Sequence, residues 1–434
     1  MDMLLIGIGM MWVLSMVKGV EREGIRGVGK WVLLYGLWLS QREVEGKIGV
    51  LGGMMGREGM VVWMEGLLYV LGAMWLVMYG EESKGQEVEV SLMGIMGMVL
   101  LVWSEDLVGM YLGMEMVSLT MYMIVSRSEV GSGMKYMMLG MLSSAIVVGG
   151  IVLVYMETGT TNYEVLRMVE GGVGRGVIMG GMLFKLGIPP MHSWMADVYE
   201  GVEMKITGWL GIMGKLGYVM TIYKMGGRWG EWLVAGALIV GSVGGLSQNR
   251  IRRMLAYSGI GSMGYIMLGM MEESVEGRIG MIFYNLQYWI SMVGVFAIMV
   301  ALGQKGGGVR YISTISRERS ILMVMLMLNM LSLLGIPPLV GFYGKMEVLR
   351  GGVMEGYVGL VSVAVVTSVI SAGYYLGVVK EGVMTAPSES SKGKEMEISR
   401  GLGWIISVTG LWVVLCGVKI GGILGVLRMV CGME

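Results

Sequence analysis

The chain has 434 residues, 55% of them hydrophobic and 15% charged, with zero formal net charge. Soluble domains carry about 25% charged residues, so this composition excludes an ordinary water-soluble domain. No basic block recurs with aromatic residues, which argues against a nucleic-acid partner. One histidine and two cysteines, Cys416 and Cys431, fall short of the four ligands that a structural zinc site or an iron–sulfur cluster needs. No metal and no redox centre is expected in this chain.

Residue usage is skewed. The chain holds 76 Gly, 51 Met and 13 Trp against 5 Pro, 4 Phe and one His. Gly, Val, Met and Trp have G-rich codons, whereas Pro and His need C. A strand-biased genome such as an organelle's explains this pattern. The methionines are scattered, as expected of leucine replacements and not of a cofactor box.

A bilayer core takes roughly 20 apolar residues per helix, and the chain supplies such stretches repeatedly. The predicted spans, in chain order, are 3–20, 28–40, 59–79, 88–104, 107–126, 134–155, 174–194, 203–223, 231–247, 254–271, 279–302, 320–348, 357–380 and 402–427. They predict an all-α polytopic membrane protein of about 14 transmembrane helices. Charged loops separate them at 81–86, 248–253, 310–319 and 381–400. No signal-peptide pattern is seen at the N-terminus. Odd-numbered loops carry more Lys and Arg than even-numbered ones, which predicts both termini on the outer side.

Four of the five prolines form two pairs, and each pair closes the same pentapeptide, Leu-Gly-Ile-Pro-Pro, at 186–190 and 334–338. Proline lacks a backbone donor and clashes with the carbonyl four residues back, so Pro189–Pro190 and Pro337–Pro338 should break spans 7 and 12. Such breaks survive in hydrocarbon only where protein or a water-filled cavity satisfies the freed groups. Each broken span is fourth in a set of five, spans 4–8 and spans 9–13. An odd number of helices per set implies two inverted five-helix repeats. The expected organisation is a three-helix segment over 1–80, repeats over 88–223 and 231–380, and a C-terminal helix over 401–428.

Ionisable residues within spans are costly, about 2.5–3.5 kcal/mol each at mid-membrane, and are candidates for function. Glu115 lies mid-span. Lys185 lies four residues before Pro189, Lys215 lies in the middle of span 8, and Lys345 follows the second break. A buried lysine whose carboxylate partner can move is suited to taking up and releasing protons. His192, two residues after the first break, is either a relay group or a hydrogen-bonded structural residue. Lys419, near a helix end, is expected to snorkel, and Glu65, early in span 3, to face the interface.

The stretches 135–145 (KYMMLGMLSSA), 184–201 (FKLGIPPMHSWMADVYEG), 253–265 (RMLAYSGIGSMGY) and 335–345 (GIPPLVGFYGK) resemble subunit 2 of the respiratory NADH dehydrogenases, an antiporter-like family of complex I. The match covers most of spans 4–13, and the Asp-Val-Tyr-Glu-Gly loop at 197–201 favours subunit 2 over its sister subunits. The resemblance implies a proton channel built of two inverted repeats. On matching positions Glu115 and Lys185 would form an ion pair, Lys215 the central relay and Lys345 the exit-side lysine. His192 and Lys135 would match further titratable positions. Where relatives usually carry prolines, this chain has Ala196, Glu203 and Lys205. Where many carry a histidine in the tenth helix it has Ser262, so hydroxyls and water would serve there.

The resemblance further implies a proton-translocating subunit of NADH:ubiquinone oxidoreductase in the mitochondrial inner membrane, encoded in the organelle. FMN, iron–sulfur clusters and ubiquinone would belong to partner subunits. Those partners would be antiporter-like neighbours and small-helix subunits of the complex, with lipids around them. The alternatives are a stand-alone or multisubunit cation/proton antiporter and a purely structural membrane scaffold.

Overall fold

A computed structural model of the chain describes residues 29, 33–37, 55–56, 59–78, 85–168, 171–226, 230–272, 274–303, 320–384 and 398–431. The predicted span 3–20 and most of 28–40 lie outside the described residues, as do 310–319, most of 381–400 and the side chain of Cys431. Among the described residues there is no strand, only the isolated bridges Met55–Ser104 and Asp106–Asn162.

The helices are α1 (Gly59–Met78), α2 (Gly85–Trp103), α3 (Leu107–Ser128), α4 (Val130–Thr158), the short α5 (Tyr163–Met168), α6 (Val173–Leu186), α7 (Ser193–Gly201) and α8 (Met204–Met225). Then follow α9 (Glu231–Leu246), α10 (Ile251–Met270), α11 (Val275–Ala301), α12 (Ser320–Leu334), α13 (Val340–Met354), α14 (Val358–Met384), α15 (Arg400–Val418) and α16 (Ile420–Cys431). Six of them, α1, α3, α4, α11, α14 and α15, are long and apolar enough to cross a membrane. The predicted C-terminal span is divided at Lys419, between α15 and α16. The Asp-Val-Tyr-Glu-Gly segment, expected as a loop, is the helical second half of α7.

Local chemistry sets the helix ends. The Asp106 carboxylate accepts from Val108 N–H at 2.7 Å and from the Thr161 hydroxyl, starting α3 and tying it to the chain before α5. Ser274 caps α11 by accepting from Gly277 N–H at 3.1 Å. Both Leu-Gly-Ile-Pro-Pro motifs end a helix in the same way. Gly187 and Gly335 adopt φ of 69° and 87°, the left-handed conformation that glycine takes without strain. The prolines follow in a turn, and helix resumes at Ser193 and at Val340. Both expected breaks are therefore present.

The described residues sort into two compact units. One draws on Met1–Gly187 and Trp209–Gly227, the other on Ile188–Gly208 and Arg228–Glu434. In the first, α4 and α6 cross where a Cβ on Gly174 would fall 2.6 Å from Val154 N, so only glycine lets the backbones meet. Trp75 of α1 packs on Trp209 of α8 with ring centroids 5.1 Å apart. In the second, α9 and α10 cross at Gly241, where a Cβ would lie 2.3 Å from Gly261 N. There α11 is enclosed almost throughout, whereas α14 and α15 present Val366, Val369 and Trp404 outward.

Candidate functional site

In the first unit, Lys185 occupies the last turn of α6 and is 5% exposed. Its position follows from Gly187, which ends the helix two residues later. The ammonium donates to Ser118 Oγ at 2.8 Å, Ser144 Oγ at 3.1 Å, Tyr122 Oη at 3.3 Å and Gly140 O at 3.3 Å. It also lies 5.7 Å from the centroid of the Tyr122 ring. Gly140 is needed here, because a Cβ would come within 2.0 Å of the Tyr122 hydroxyl. The KYMMLGMLSSA segment thus contributes Gly140 and Ser144 to the lysine site, while its Lys135 is exposed near the start of α4, outside that ring of oxygens.

The expected ion pair between Lys185 and Glu115 is not formed. Glu115 is half-buried one turn before Ser118 on α3, within electrostatic reach of Lys185, and its Oε1 is buried and accepts no hydrogen bond. An ammonium has three protons to donate, and four neutral oxygens already surround it. Ser118 and Tyr122 take the place at Lys185 that the carboxylate was expected to fill.

Lys215 sits on α8 in the same unit, 2% exposed, and its Nζ makes no hydrogen bond. Three residues on, and so on the same face of α8, Tyr218 donates to Met114 O at 3.5 Å. Its hydroxyl faces Ser118, Tyr122 and Glu115. Tyr218 thus connects the helix of one buried lysine to the oxygens around the other. At the end of α8, Lys224 pairs with Glu105 at 2.5 Å and donates to Ser104 O at 3.2 Å. Arg175 donates to the carbonyls of Leu166, Met225 and Gly226 nearby.

In the second unit, Lys345 lies in the second turn of α13, 8% exposed. Its Nζ donates at 2.9 Å to Leu334 O, a carbonyl freed by the second break, and lies 5.0 Å from the centroid of the Tyr265 ring. A cation at the C-terminus of α12 is favoured by the helix dipole. A cavity beside it is lined by Ser258, Ser262, Tyr265, Tyr284, Lys345 and Tyr375 among others. Ser258 and Tyr375 share a hydrogen bond of 2.5 Å, and Ser262 donates to Ser258 O at 2.9 Å. His192, also in this unit, stands half-buried at the N-cap of α7, with Nδ1 unpaired. Asp197 and Glu200 of α7 pair with Arg253 at 3.4 and 2.8 Å.

Glu65, expected to face the interface, is 2% exposed and accepts from Tyr69 at 2.8 Å and Trp103 Nε1 at 3.2 Å. Sequence reading also passed over Ser118, Tyr122, Ser144, Tyr218 and the Glu105–Lys224 pair. A signal was present for two of them: Glu115, Ser118 and Tyr122 recur at helical spacing along one face of an apolar helix. Lys224 and Glu105 stand at opposite ends of a long sequence separation, and only the fold joins them.

Comparison with known proteins gives the family. Residues 104–371, more than half of the chain, match the family model described as NADH:quinone oxidoreductase/Mrp antiporter, TM. NADH-ubiquinone oxidoreductase chain 2 of Rhizopus oryzae is 33% identical over 84% of this chain and 81% of its own length. NADH-quinone oxidoreductase subunit N 1 of Rhizobium meliloti is 30% identical over 91% of this chain and 88% of its own. The fold is similar to a chain of Thermus thermophilus respiratory complex I, with a TM-score of 0.85 and 22% identity over 98% of both chains. It is equally similar to a chain of the Mrp complex of a Dietzia species, with a TM-score of 0.85 and 17% identity over 99% of this chain and 95% of that one. The chain belongs to the NADH:quinone oxidoreductase/Mrp antiporter membrane-subunit family, with relatives named chain 2 or subunit N across most of its length.

Proposed function

We infer that this chain is a proton-translocating membrane-arm subunit of NADH:ubiquinone oxidoreductase, working beside other membrane subunits of that complex. Its two extensively matched relatives carry the names of that enzyme's subunits. The observation that carries the proton-handling part is the arrangement in the first unit. Lys185 is buried among four oxygens, Lys215 is buried with none, and Tyr218 links their surroundings. Keeping two such lysines in a membrane costs several kcal/mol, and a purely structural scaffold gains nothing from it.

The finer architecture belongs to this reading. Fourteen spans in two inverted five-helix repeats account for the recurrence of the Leu-Gly-Ile-Pro-Pro break in α6–α7 and α12–α13. Supporting the repeat, each begins with a helix pair packed through glycines: Gly97 with Gly113 in α2–α3, and Gly241 with Gly261 in α9–α10. The repeats extend over 88–223 and 231–380, flanked by 1–80 and 401–428. The site is the mitochondrial inner membrane. FMN, iron–sulfur clusters and ubiquinone act in partner subunits.

The lysines and their neighbours suggest how proton movement is coupled. Movement of Glu115 toward or away from Lys185 changes how firmly the ammonium is held, and so which lysine keeps the proton. Tyr218 and Ser118 offer hydroxyls that both donate and accept, as a proton hop requires. The second unit offers its own proton-exchanging groups, Lys345 and the hydroxyl-lined cavity around Ser262; His192 in that unit and Lys135 in the first are secondary titratable positions. The cation/proton antiporter alternative differs in needing no NADH dehydrogenase partners.

The test is Lys215→Met in the assembled complex, with NADH oxidation and proton pumping measured together. Loss of most pumping is expected. Full pumping stoichiometry in a correctly assembled variant would remove Lys215 from the route.

A further inference from the structure

Glu272 is a buried acid outside the lysine sites that the route above does not use. Glu272 follows the C-cap Met271 of α10 and precedes by two residues Ser274, the N-cap of α11. It is 2% exposed, and neither carboxyl oxygen has a hydrogen-bond partner. Backbone has been cleared around it. A Cβ on Gly277 of α11 would fall 2.2 Å from the Glu272 Cβ, and one on Gly351 of α13 would fall 1.8 Å from its Oε2. Any larger residue at either position would displace the carboxyl.

Its location relates it to Lys345. On α13, Gly352 follows Lys345 by two helical turns and so lies on the same face. On the α10 side, Glu272 follows Tyr265 by the same interval, and the Tyr265 ring lies beneath the Lys345 ammonium. Leu268 lines the seam between them, 3.6 Å from where a Gly352 Cβ would be. Carboxyl and ammonium therefore share one α10–α13 seam, about 10 Å apart along the helices. Beyond Glu272 the seam reaches the helix ends, where Glu355, exposed at the C-cap of α13, accepts from Ser274 N–H at 3.1 Å.

We propose that Glu272 is the terminal proton carrier of the second unit, exchanging a proton with Lys345 along the α10–α13 seam and with bulk water at the Glu355 edge. This rests on the proton-translocating reading given above. The step moves one proton. The Lys345 ammonium becomes an amine, water in the seam passes the proton on, and the Glu272 carboxylate becomes the acid, which then releases the proton outside. The even-numbered loop that holds Glu272 is on the outer side by the Lys/Arg distribution, as a release group requires.

The electrostatics suit release. Burial, and secondarily the charge of Glu355, push the Glu272 carboxyl up to about 8. At neutral pH it holds its proton, and it gives the proton up as the outer pH rises through that value. The other charged groups on these helices are Arg252 and Arg253 on α10, Glu276 and Arg278 on α11, and Glu347 and Arg350 on α13; the tyrosines are Tyr257 and Tyr265 on α10, Tyr284 and Tyr288 on α11 and Tyr343 on α13, with Tyr357 before α14. Of these, Glu347 and Arg350 are paired with each other at 3.9 Å.

The experiment uses the assembled complex in vesicles, with pumping followed against outer pH. Glu272→Gln should slow pumping about tenfold or more and flatten the limb near pH 8, and Glu272→Asp should restore part of both. Glu355→Gln, at an exposed position, should move the midpoint of that limb to lower pH, because a like charge has been removed. Unchanged rate and pH profile in Glu272→Gln, with pumping lost in Lys345→Met, would overturn the assignment of Glu272 alone. Full pumping in Lys345→Met as well would overturn the proton-route reading beneath it. If Glu272→Gln fails to assemble, an unmoved midpoint in Glu355→Gln is the overturning result.

Discussion

At the scale of single residues, the balance between charge and solvation decides what a buried lysine can do. Lys185 replaces its lost water with two serine hydroxyls, a tyrosine hydroxyl and a carbonyl, all within 3.3 Å. Lys215, with no such ring, carries the full desolvation cost whenever it is charged. A proton shared between two such sites favours the first until something weakens it. Ser118 makes the shortest of the four bonds, and a hydrogen bond to a charged group contributes about 1.5–3 kcal/mol. Ser118→Ala should therefore slow pumping about tenfold while leaving the complex assembled, read as pumping rate against complex content. A pumping rate within twofold of the parent would show that Ser118 only fills space. Tyr218→Phe tests the link between the lysines: it keeps the ring and removes the hydroxyl that faces Ser118. Slower pumping with unchanged stability is the expected result, and unchanged pumping would exclude Tyr218 from the path.

At the scale of elements, glycine governs how helices meet and where they stop. In lipid the hydrophobic effect does not drive helices together, so close backbone approach supplies much of the association. Gly241 allows α9 to touch the backbone of α10 at Gly261. Gly241→Leu would force these helices apart and should destabilise the second unit by about 1–3 kcal/mol, seen as less assembled complex on native gels and a lower melting temperature. A variant that assembles as the parent does would mean the crossing has room to slide. The two breaks follow the same economy. Gly187 and Gly335 turn the chain out of helix, the prolines prevent it from resuming at once, and Lys345 satisfies the Leu334 carbonyl left open at the second. That bond explains why a lysine on α13 stands beside a break seven residues earlier.

At the scale of the whole molecule, the expected even number of spans and the Lys/Arg distribution require both termini on one face of the membrane. Cysteine labelling from either side should reach residues near both ends from the outer face alone. Labelling of the two ends from opposite faces would reduce the span count by one and remove the inverted-repeat argument. Redox groups are expected to stay with partners: flavin and iron–sulfur absorbance should follow the other subunits when this chain is stripped from the complex in mild detergent.

Much was legible in the sequence because the bilayer imposes simple rules. Long apolar stretches identify helices, and twelve of the predicted spans coincide with helices or broken helix pairs among the described residues. The Pro-Pro pairs marked the two breaks, since the loss of a backbone donor is local and needs no tertiary context. The costly charges Lys185, Lys215 and Lys345 stood out against an apolar background for the same reason. What surrounds those charges was decided only by the tertiary structure. Ser118, Tyr122 and Ser144 are ordinary residues in a sequence, and they become ligands of an ammonium because α3, α4 and α6 bring them within hydrogen-bond distance. The direct Glu115–Lys185 pair that the resemblance implied gave way to those neutral oxygens. Nothing in the sequence singles out Glu272, and it is buried by the approach of Gly277 and Gly351. A sequence records which groups are costly in a membrane; the packing of helices decides which neighbours offset that cost.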